Sequence, residues 1–255
     1  MGFQRNKRPE YVDDFVFGMR PVIEAINANK DIERIFIQNG LKSELFRELM
    51  ILLKQNNIQY QYVPIAKLNR ITRKNHQGIV AYISPITYDD IEQIIPGLFE
   101  NGIDPLILIM DKITDVRNFG AIARTAECAG VDAIIVPAKG SALITADSIK
   151  TSAGALHKIP VCRTKNLYDT VDYLLDYGLQ LVSATEKAEK YIYDVDFKIP
   201  TVIVMGNEEK GVTREILNKS TEKVKIPMIG EIASLNVSVA AGIITYEAVR
   251  QRTSK

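Results

Sequence analysis

Three short polar segments in the second half of the chain carry the side chains best suited to chemistry. They are Asn118-Phe-Gly-Ala-Ile-Ala-Arg124, Gly206-Asn-Glu-Glu-Lys-Gly211 and Ser234-Leu-Asn-Val-Ser238, named here the first, second and third motif. Together they offer amides, a guanidinium, carboxylates and hydroxyls. Such groups hold polar ligands by hydrogen bonds, and a guanidinium stabilises negative charge that develops on an oxygen.

Each motif is predicted to lie between a strand and a helix. The apolar runs at residues 106–110 and 202–205 precede the first two motifs, and the predicted strand at 223–226 precedes the third. Ligands of α/β sheets bind at the carboxyl ends of the strands. We therefore expect the three motifs to converge on one site.

Each motif also has a purely structural interpretation. Asn118 has the residue type of a helix N-cap, and Arg124 lies about 200° around the helix from the apolar Ile122, as expected for a solvent-exposed arginine. Cys128, one turn beyond Arg124, is interpreted as a small packing residue of that helix rather than a nucleophile.

The second and third motifs are equally ambiguous when each is considered alone. Two glycines bracket Glu208 and Glu209, but neither a dinucleotide fingerprint nor a phosphate loop is present. Ser234 or Asn236 has the type of an N-cap, and the stripe Val237, Ala241, Ile244 and Ala248 is typical of a core-facing helix.

Alternating strand and helix patterns on both sides of residue 85 predict two α/β domains. The predicted boundaries are a basic tail at 1–14, a small domain at 15–85, a linker at 86–104 with a helical stretch at 90–99, and a larger domain at 105–255. In the small domain we predict strands at 33–37, 59–63 and 78–83 and helices at 20–29, 43–56 and 66–71, with Ser43 as an N-cap. In the larger domain we predict a parallel sheet of strands 106–110, 133–136, 179–183, 202–205 and 223–226, with helices 119–129, 167–177, 213–218 and 237–251 on both faces.

Composition is that of a soluble globular protein, and charge is distributed unevenly. The 255 residues are 46% hydrophobic and 25% charged, with a net charge of +1. Residues 1–85 carry 13 Lys and Arg against 8 Asp and Glu, a net of +5, so the remainder has a net of −4. A basic first part favours an anionic partner, although a random scatter of charged residues along the chain could give the same imbalance. Two Cys and two His, far apart, argue against a disulfide framework or a metal site, and without a targeting segment or membrane span we expect a cytoplasmic protein.

Taken together, the order and spacing of the motifs resemble those of the SpoU/TrmH-type RNA ribose 2′-O-methyltransferases of the SPOUT superfamily. The first motif is similar to the family's Asn-x-Gly-x-x-x-Arg, the second to Gly-x-Glu-x-x-Gly and the third to Ser-Leu-Asn-Val-Ser. Phe17-Gly-Met-Arg-Pro-Val-Ile-Glu-Ala25 and His76-Gln-Gly-Ile79 resemble the substrate-binding domain of the 23S rRNA guanosine branch. The match covers nearly the whole chain.

This resemblance implies a trefoil-knotted second domain, S-adenosylmethionine as cofactor and a homodimer with its active site near the interface. Implied catalytic residues are Arg124, Asn118, Glu208, Ser234 and Asn236, with Glu209 as an alternative carboxylate. Implied cofactor-binding residues are Ala184, Thr185, Gly206, Ile226, Leu235 and Asn236. Candidate RNA contacts in the first domain are Arg20, Arg70, Arg73, Lys74 and His76, although His76 could equally be a strand-entry residue.

Three alternatives stay open at this point. The same chemistry could act on tRNA, although the tRNA branch typically lacks the amino-terminal domain. The chain could instead be a non-catalytic RNA-binding or ribosome-assembly factor, against which the intact motif residues argue. A nucleotide-dependent oxidoreductase is disfavoured because its glycine fingerprint is missing.

Overall fold

The computed structural model describes residues 15–56, 58–232 and 234–254, which fall into two compact units. The first comprises residues up to Ile86 together with the short segment Ile144–Asp147. The second comprises Thr87–Leu143 and the residues from Ser148 onward. The tail predicted at 1–14 lies outside the described residues.

The first unit contains a four-stranded mixed sheet in the order β1-β4-β2-β3. Its strands are Phe15–Phe17 (β1), Ile32–Gln38 (β2), Tyr60–Val63 (β3) and Ile79–Ile83 (β4). Its helices are Met19–Asn27 (α1), Glu44–Gln55 (α2) and Ile65–Ile71 (α3). Strands β2 and β3 are parallel, whereas β4 is antiparallel to β1 and β2.

Helices α1 and α2 close one face of this sheet. Val22 and Leu49 from the two helices are fully buried in a cluster with Ile35 and Ile37 of β2. The Ser43 hydroxyl accepts a hydrogen bond of 3.1 Å from the amide of Phe46, so the predicted N-cap of α2 is confirmed.

The remaining strands form a seven-stranded sheet in the order β7-β6-β5-β10-β8-β11-β9. They are Leu106–Asp111 (β5), Ala133–Pro137 (β6), Val161–Thr164 (β7), Gln180–Ala184 (β8), Lys190–Tyr191 (β9), Thr201–Gly206 (β10) and Glu222–Lys225 (β11). The helices after residue 86 are Ile91–Glu100 (α4), Val116–Cys128 (α5), Ala146–Thr151 (α6), Leu167–Asp176 (α7), Arg214–Lys219 (α8) and Val237–Thr253 (α9).

All pairings in this sheet are parallel, as the sequence predicts. Every residue of β5 is buried because helices cover both faces of the sheet. Strand β10 lies between β5 and β8, so the chain reverses its direction of travel across the sheet next to β5. Such a switch point opens a crevice at the carboxyl ends of the two central strands.

The structure differs from the sequence expectations mainly in short elements. Strands β1, β7 and β9 and helix α6 were not predicted, since two to six residues carry little periodicity. The segment 86–104, expected to be a linker, contributes α4 to the second unit, where Ile91 and Ile95 are buried in the core.

Candidate functional site

The first two motifs meet at the switch point of the large sheet. Gly206, the last residue of β10, is in register with Asp111, the last residue of β5. The first motif opens α5 shortly after β5, and the second motif follows β10 directly. Helix α9, which the third motif starts, packs against α5 and β10. The three motifs therefore belong to neighbouring elements of one unit.

Asp115, rather than Asn118, is the N-cap of α5. Its carboxylate accepts hydrogen bonds from the amides of Arg117 at 2.8 Å and Asn118 at 2.9 Å. The interpretation of Asn118 as an N-cap is therefore wrong, because the helix begins earlier, at Val116. Asn118 lies in the first turn, where its side chain is available for contacts outside the helix.

The buried and exposed faces of α5 follow the predicted pattern. Ile122 and Ala126 are buried, whereas Arg124 is exposed on another side of the helix. Cys128 is also exposed, so its interpretation as a packing residue is wrong. Gly120 is needed for close packing, since a Cβ there would lie 2.7 Å from the Cβ of Thr151.

The second motif forms a tight turn whose shape is fixed by its own backbone and by Asn207. The amide of Asn207 donates to the carbonyl of Gly211 at 3.1 Å, and the amide of Gly211 returns the bond at 2.7 Å. The Asn207 side chain donates to the carbonyl of Lys112 at 3.0 Å and accepts from the amide of Glu209 at 3.0 Å. A Cβ on Gly206 would lie 2.0 Å from the nitrogen of Val212, so only glycine fits there.

A buried carboxylate supports this turn from below. Asp111 is 1% exposed, and its Oδ2 accepts a hydrogen bond of 2.6 Å from the amide of Thr213. Its Oδ1 is buried without a hydrogen-bond partner among the residues that the structure describes. Asp111, Asp115 and Asn207 were not predicted as site residues, although Asp111 is visible in the sequence as the acidic residue that ends the apolar run of β5.

Side chains from all three motifs are joined by hydrogen bonds at this edge. The Asn118 amide group donates to Oε1 of Glu208, and its Oδ1 accepts from the Asn236 amide group at 3.1 Å. The Oδ1 of Asn236 in turn accepts from the amide of Ser238 at 2.9 Å, which makes Asn236 the N-cap of α9. We call Glu208, Asn118 and Asn236 the amide chain.

Two other predicted site residues lie outside the amide chain. Arg124 lies six residues beyond Asn118 on α5, about 1.7 turns along the helix and about 120° away around its axis. Its exposed guanidinium makes no hydrogen bond or ion pair with any residue in the described ranges. Ser234 is likewise exposed, ahead of the α9 N-cap. Neither side chain is fixed by the fold as the amide chain is.

The residues proposed to hold a cofactor lie at the same edge of the sheet. Ala184 ends β8, Gly206 ends β10 and Ile226 follows β11, and these strands are neighbours in the sheet. The amide of Thr185 donates to the carbonyl of Val224 at 2.9 Å. The remaining two, Leu235 and Asn236, immediately precede α9 and are exposed.

The RNA-contact candidates of the first unit divide into exposed cations and one buried ring. Arg20, Arg70, Arg73 and Lys74 are exposed. His76 is 7% exposed, its Nδ1 accepts from the amide of Gly78 at 3.0 Å, and its Nε2 lies 2.9 Å from Oδ1 of Asn69. Both ring nitrogens are thus engaged with residues close to the turn before β4, and the RNA contact at His76 stays a prediction.

The described ranges contain neither a metal-binding cluster nor a membrane-spanning helix. No group of three or more His, Cys, Asp or Glu side chains there could hold a metal ion. No helix there is long and apolar enough to cross a bilayer.

Burial, with the negative charges of Asp89 and Asp90, raises the pKa of the Cys162 thiol to about 12, so this thiol stays protonated and unreactive near neutral pH.

Two family models match the chain. The SpoU rRNA Methylase family matches residues 105–246, which contain the amide chain and Arg124. The model for RNA 2′-O ribose methyltransferase substrate binding matches residues 15–89. The first match covers the large sheet, and the second covers the small sheet.

Relatives match over nearly the full length of the chain. A candidate TrmH family tRNA/rRNA methyltransferase of Staphylococcus haemolyticus is 34% identical over 240 residues, which is 94% of this chain and 96% of the relative. The solved SpoU methyltransferase AviRb from Streptomyces viridochromogenes, in complex with the cofactor AdoMet, is 28% identical with a TM-score of 0.59. That comparison covers 94% of this chain and 91% of AviRb.

A solved tRNA-modifying enzyme matches a smaller part. The TrmH/SpoU tRNA modifying enzyme of A. aeolicus is 35% identical with a TM-score of 0.54, and the comparison covers 63% of this chain and 83% of that enzyme.

Proposed function

The chain belongs to the SpoU family of RNA methyltransferases, and from this premise we propose that it methylates a ribose 2′-hydroxyl of RNA with S-adenosylmethionine as donor. The observation that carries the proposal is the amide chain, which joins Asn118, Glu208 and Asn236 at the carboxyl ends of the central strands. Polar groups from three separate segments are fixed there in the crevice where α/β sheets bind ligands.

The residues at this edge fit S-adenosylmethionine. The missing Cβ of Gly206 lets the turn come close to the strand end, and neighbouring backbone groups at Ala184 and Ile226 lie on the same edge. Backbone contacts of this kind suit an adenosine moiety, and AviRb was crystallised with this cofactor. We propose that Ala184, Thr185, Gly206, Ile226, Leu235 and Asn236 hold it. The bound cofactor supplies an activated methyl group.

With the methyl already activated, the task of the protein is to align the ribose oxygen and stabilise its charge. Orientation alone contributes about 7–11 kcal/mol in well-aligned intramolecular reactions. The amide chain provides such orientation because Asn118 is held by Glu208 on one side and Asn236 on the other. We assign Asn118, Asn236 and Ser234 to hydrogen bonding of the nucleotide.

Arg124 is assigned to negative charge rather than to proton removal. A guanidinium stays protonated in proteins, so it cannot act as a base at neutral pH. Its guanidinium is exposed and has no partner among the described residues, so it can meet the developing charge on the 2′-oxygen or an adjacent phosphate. Glu208 is committed to Asn118 by its hydrogen bond, so we assign it to positioning.

For the substrate we propose a guanosine of large-subunit rRNA, with tRNA as the alternative. The substrate-binding model at residues 15–89 supports an RNA-recognition unit ahead of the methyltransferase unit. Four of the five candidate contacts there, Arg20, Arg70, Arg73 and Lys74, are exposed cations. We propose that the protein works in the cytoplasm, where rRNA is assembled, and as a homodimer. A non-catalytic assembly factor on this fold remains the competing proposal.

Methyl transfer in vitro tests the function directly. The purified protein is incubated with labelled S-adenosylmethionine and with separate pools of unmodified rRNA and tRNA, and ribose methylation is mapped by primer extension at low nucleotide concentration. Label at one 2′-oxygen of large-subunit rRNA is the expected result. Label in tRNA would overturn the substrate but keep the chemistry. Cofactor binding by calorimetry is measured in parallel, and its failure together with no label would favour the assembly factor.

A further inference from the structure

We propose that the α3-side face of the small sheet binds an unpaired nucleobase of RNA in a groove with an aromatic floor and a cationic rim. We call it the ring groove; its lining residues are Phe15, Pro64, Ala66, Lys67, Arg70, Ile71 and Tyr82. The inference rests on the proposed function because it names the RNA feature that the first unit recognises.

Strand register places four rings on one face of the small sheet, and two of them, Phe15 and Tyr82, form the floor of the groove. Phe15 of β1 is paired with Tyr82 of β4, and Phe17 is paired with Val80. Phe36 of β2 is also paired with Val80, which places its ring on the same side. The ring centroids of Phe15 and Tyr82 are 6.0 Å apart, as are those of Phe36 and Tyr82.

Helix α3 covers only part of this aromatic face. Its Leu68 is fully buried with Phe36, Val63 and Val80. Phe15, Phe17 and Tyr82 are only half-buried beside that cluster. The part that the described residues leave uncovered is a groove of about 740 Å³, within the range of about 300–1,000 Å³ that is typical of ligand sites.

Cations line the rim of the ring groove. Lys67 and Arg70 lie three residues apart on α3, hence on the same side of the helix, and both are exposed. Nζ of Lys67 is 4.2 Å from the centroid of the Phe36 ring. Outside the groove lining, on the same aromatic face, Nζ of Lys74 is 5.9 Å from the centroid of the Phe17 ring. None of the described residues that line the groove is acidic.

Aromatic floor and cationic rim together select an unpaired nucleotide. Rings stack on base faces, while Lys and Arg contact the phosphates. Paired bases in a helix hide their faces, so only a loop, bulge or end can use the floor. The opposite face of the sheet is closed by α1 and α2, which leaves the ring groove as the stacking surface.

Two charge-matched double variants separate this groove from general attraction of RNA. K67Q/R70Q removes two rim cations, and R47Q/K54Q removes two exposed cations from α2 on the closed face. Affinity is measured by fluorescence anisotropy for a single-stranded RNA decamer and for a duplex of the same sequence. We expect K67Q/R70Q to weaken single-strand binding at least tenfold and R47Q/K54Q to weaken it less than threefold. Equal losses in the two variants would overturn the proposal.

The aromatic floor needs its own test, because charge removal alone cannot reveal stacking. Phe15→Leu keeps an apolar side chain but removes a ring, and we expect three- to tenfold weaker binding of the single strand with unchanged duplex binding. Photocrosslinking of the full-length protein with a 4-thiouridine-substituted decamer should label the peptides that carry Phe15 or Tyr82, a readout independent of variant stability. Labelling confined to other peptides would overturn the proposal. RNA affinities equal to the parent's in all variants, as expected if residues before Phe15 occupy the groove instead of RNA, would overturn it too.

Failure of this inference is distinguishable from failure of the proposed function. Calorimetric binding of S-adenosylmethionine and label transfer at saturating RNA report on the second unit. A raised KM for RNA with unchanged kcat in K67Q/R70Q supports the ring groove. An unchanged KM, in a protein that still binds the cofactor and transfers the methyl group, overturns the ring groove alone.

Discussion

Asn118 holds the centre of the candidate site because its side-chain amide bonds in two directions at once. It donates to Glu208 of the second motif and accepts from Asn236 of the third. Asp115 takes over the capping of α5 and thereby frees Asn118 for this role. Asn118 therefore links the first turn of α5 to the turn after β10 and to the start of α9 by hydrogen bonds.

Removing the guanidinium of Arg124 should abolish most of the activity without harming the fold. Arg124 is exposed and unpaired among the described residues, so Arg124→Ala loses no internal contact. Loss of one group that stabilises developing charge costs about 10²–10³ in kcat. We expect that loss in single-turnover methyl transfer, with cofactor affinity unchanged.

Cys128→Ala is the matched control, since Cys128 is exposed one turn further along the same side of α5. It should keep full activity. Full turnover in Arg124→Ala would remove the role assigned to this arginine, and a loss in Cys128→Ala would point to the general surface of α5.

Part of this site was predictable from the sequence and part was not. Strand ends in a parallel sheet share one edge, so the convergence of Asn118, Glu208 and Asn236 followed from their positions. Asp111 and Asn207 could not be assigned, because their partners, the amide of Thr213 and the carbonyl of Lys112, lie about a hundred residues away. Such pairings depend on which strands become neighbours.

At the scale of elements, length decided what the sequence revealed. The six buried residues of β5 form an apolar run that fixes its assignment. Strand β1 has three residues and β9 has two, and these form through pairing with β4 and β11 rather than through a pattern of their own. Helix α4 carries proline and glycine, which predicted a connector, yet its isoleucines enter the core.

The turn after β10 should not accept any side chain at Gly206. In Gly206→Ala the new methyl would lie 2.0 Å from the nitrogen of Val212, so the turn that carries Glu208 must move. We expect a loss of about 1–3 kcal/mol in the free energy of unfolding, measured by urea denaturation. Calorimetry should show weaker cofactor binding at the displaced strand end.

Gly97→Ala is the opposite case and serves as its control. Gly97 lies within α4, and a Cβ there would meet nothing within 4 Å. Because alanine is the better helix former, this variant should gain about 0.5–1 kcal/mol and keep cofactor binding. Equal stability of the two variants would show that the turn tolerates a side chain.

The last turns of α9 contain a pH-dependent contact. The Arg250 guanidinium donates to Glu247 at 2.8 and 2.7 Å and holds the pKa of this carboxyl below its usual range, against the opposing effect of burial. A lowered pKa stabilises the folded state above the unfolded value of about 4.3, and this contribution is lost as the pH falls through the folded pKa. Glu247→Gln should therefore be less stable by about 1 kcal/mol at pH 7, and its difference from the parent should shrink as the pH falls below the unfolded value of about 4.3.

Thermal or urea unfolding from pH 7 to pH 3 measures this difference. Glu215→Gln, at an exposed position of α8, is the control and should differ from the parent by less than about 0.5 kcal/mol at pH 7. A gap between Glu247→Gln and the parent that persists at pH 3 would contradict the ion-pair explanation.

At the scale of the whole molecule, the two units divide the work proposed for it. The first unit carries exposed cations and the ring groove, and the second carries the amide chain and the proposed cofactor edge. The excess of basic residues before residue 86 agrees with RNA docking on the first unit. The trefoil knot implied by the family resemblance stays a prediction.

Apolar side chains left exposed on the second unit support the proposed homodimer. Val239 and Tyr246 are each 49% exposed and lie seven residues apart, on the same side of α9. Ile229, Ile232 and Leu235, just before that helix, are exposed as well. Several exposed apolar side chains close together in sequence agree with an interaction surface.

Charges placed on this side of α9 should separate the two copies. Because both side chains are exposed, Val239→Lys with Tyr246→Lys should leave the fold intact, and light scattering should give the mass of one chain, 28.6 kDa. Ile51→Lys, at a 57% exposed apolar position of α2, should stay dimeric. If the active site needs residues from both copies, the monomer loses methyl transfer while its melting temperature stays close to the parent's. An active monomer would show that one chain holds the complete site. A mass of 28.6 kDa for the parent protein in light scattering would contradict the dimer.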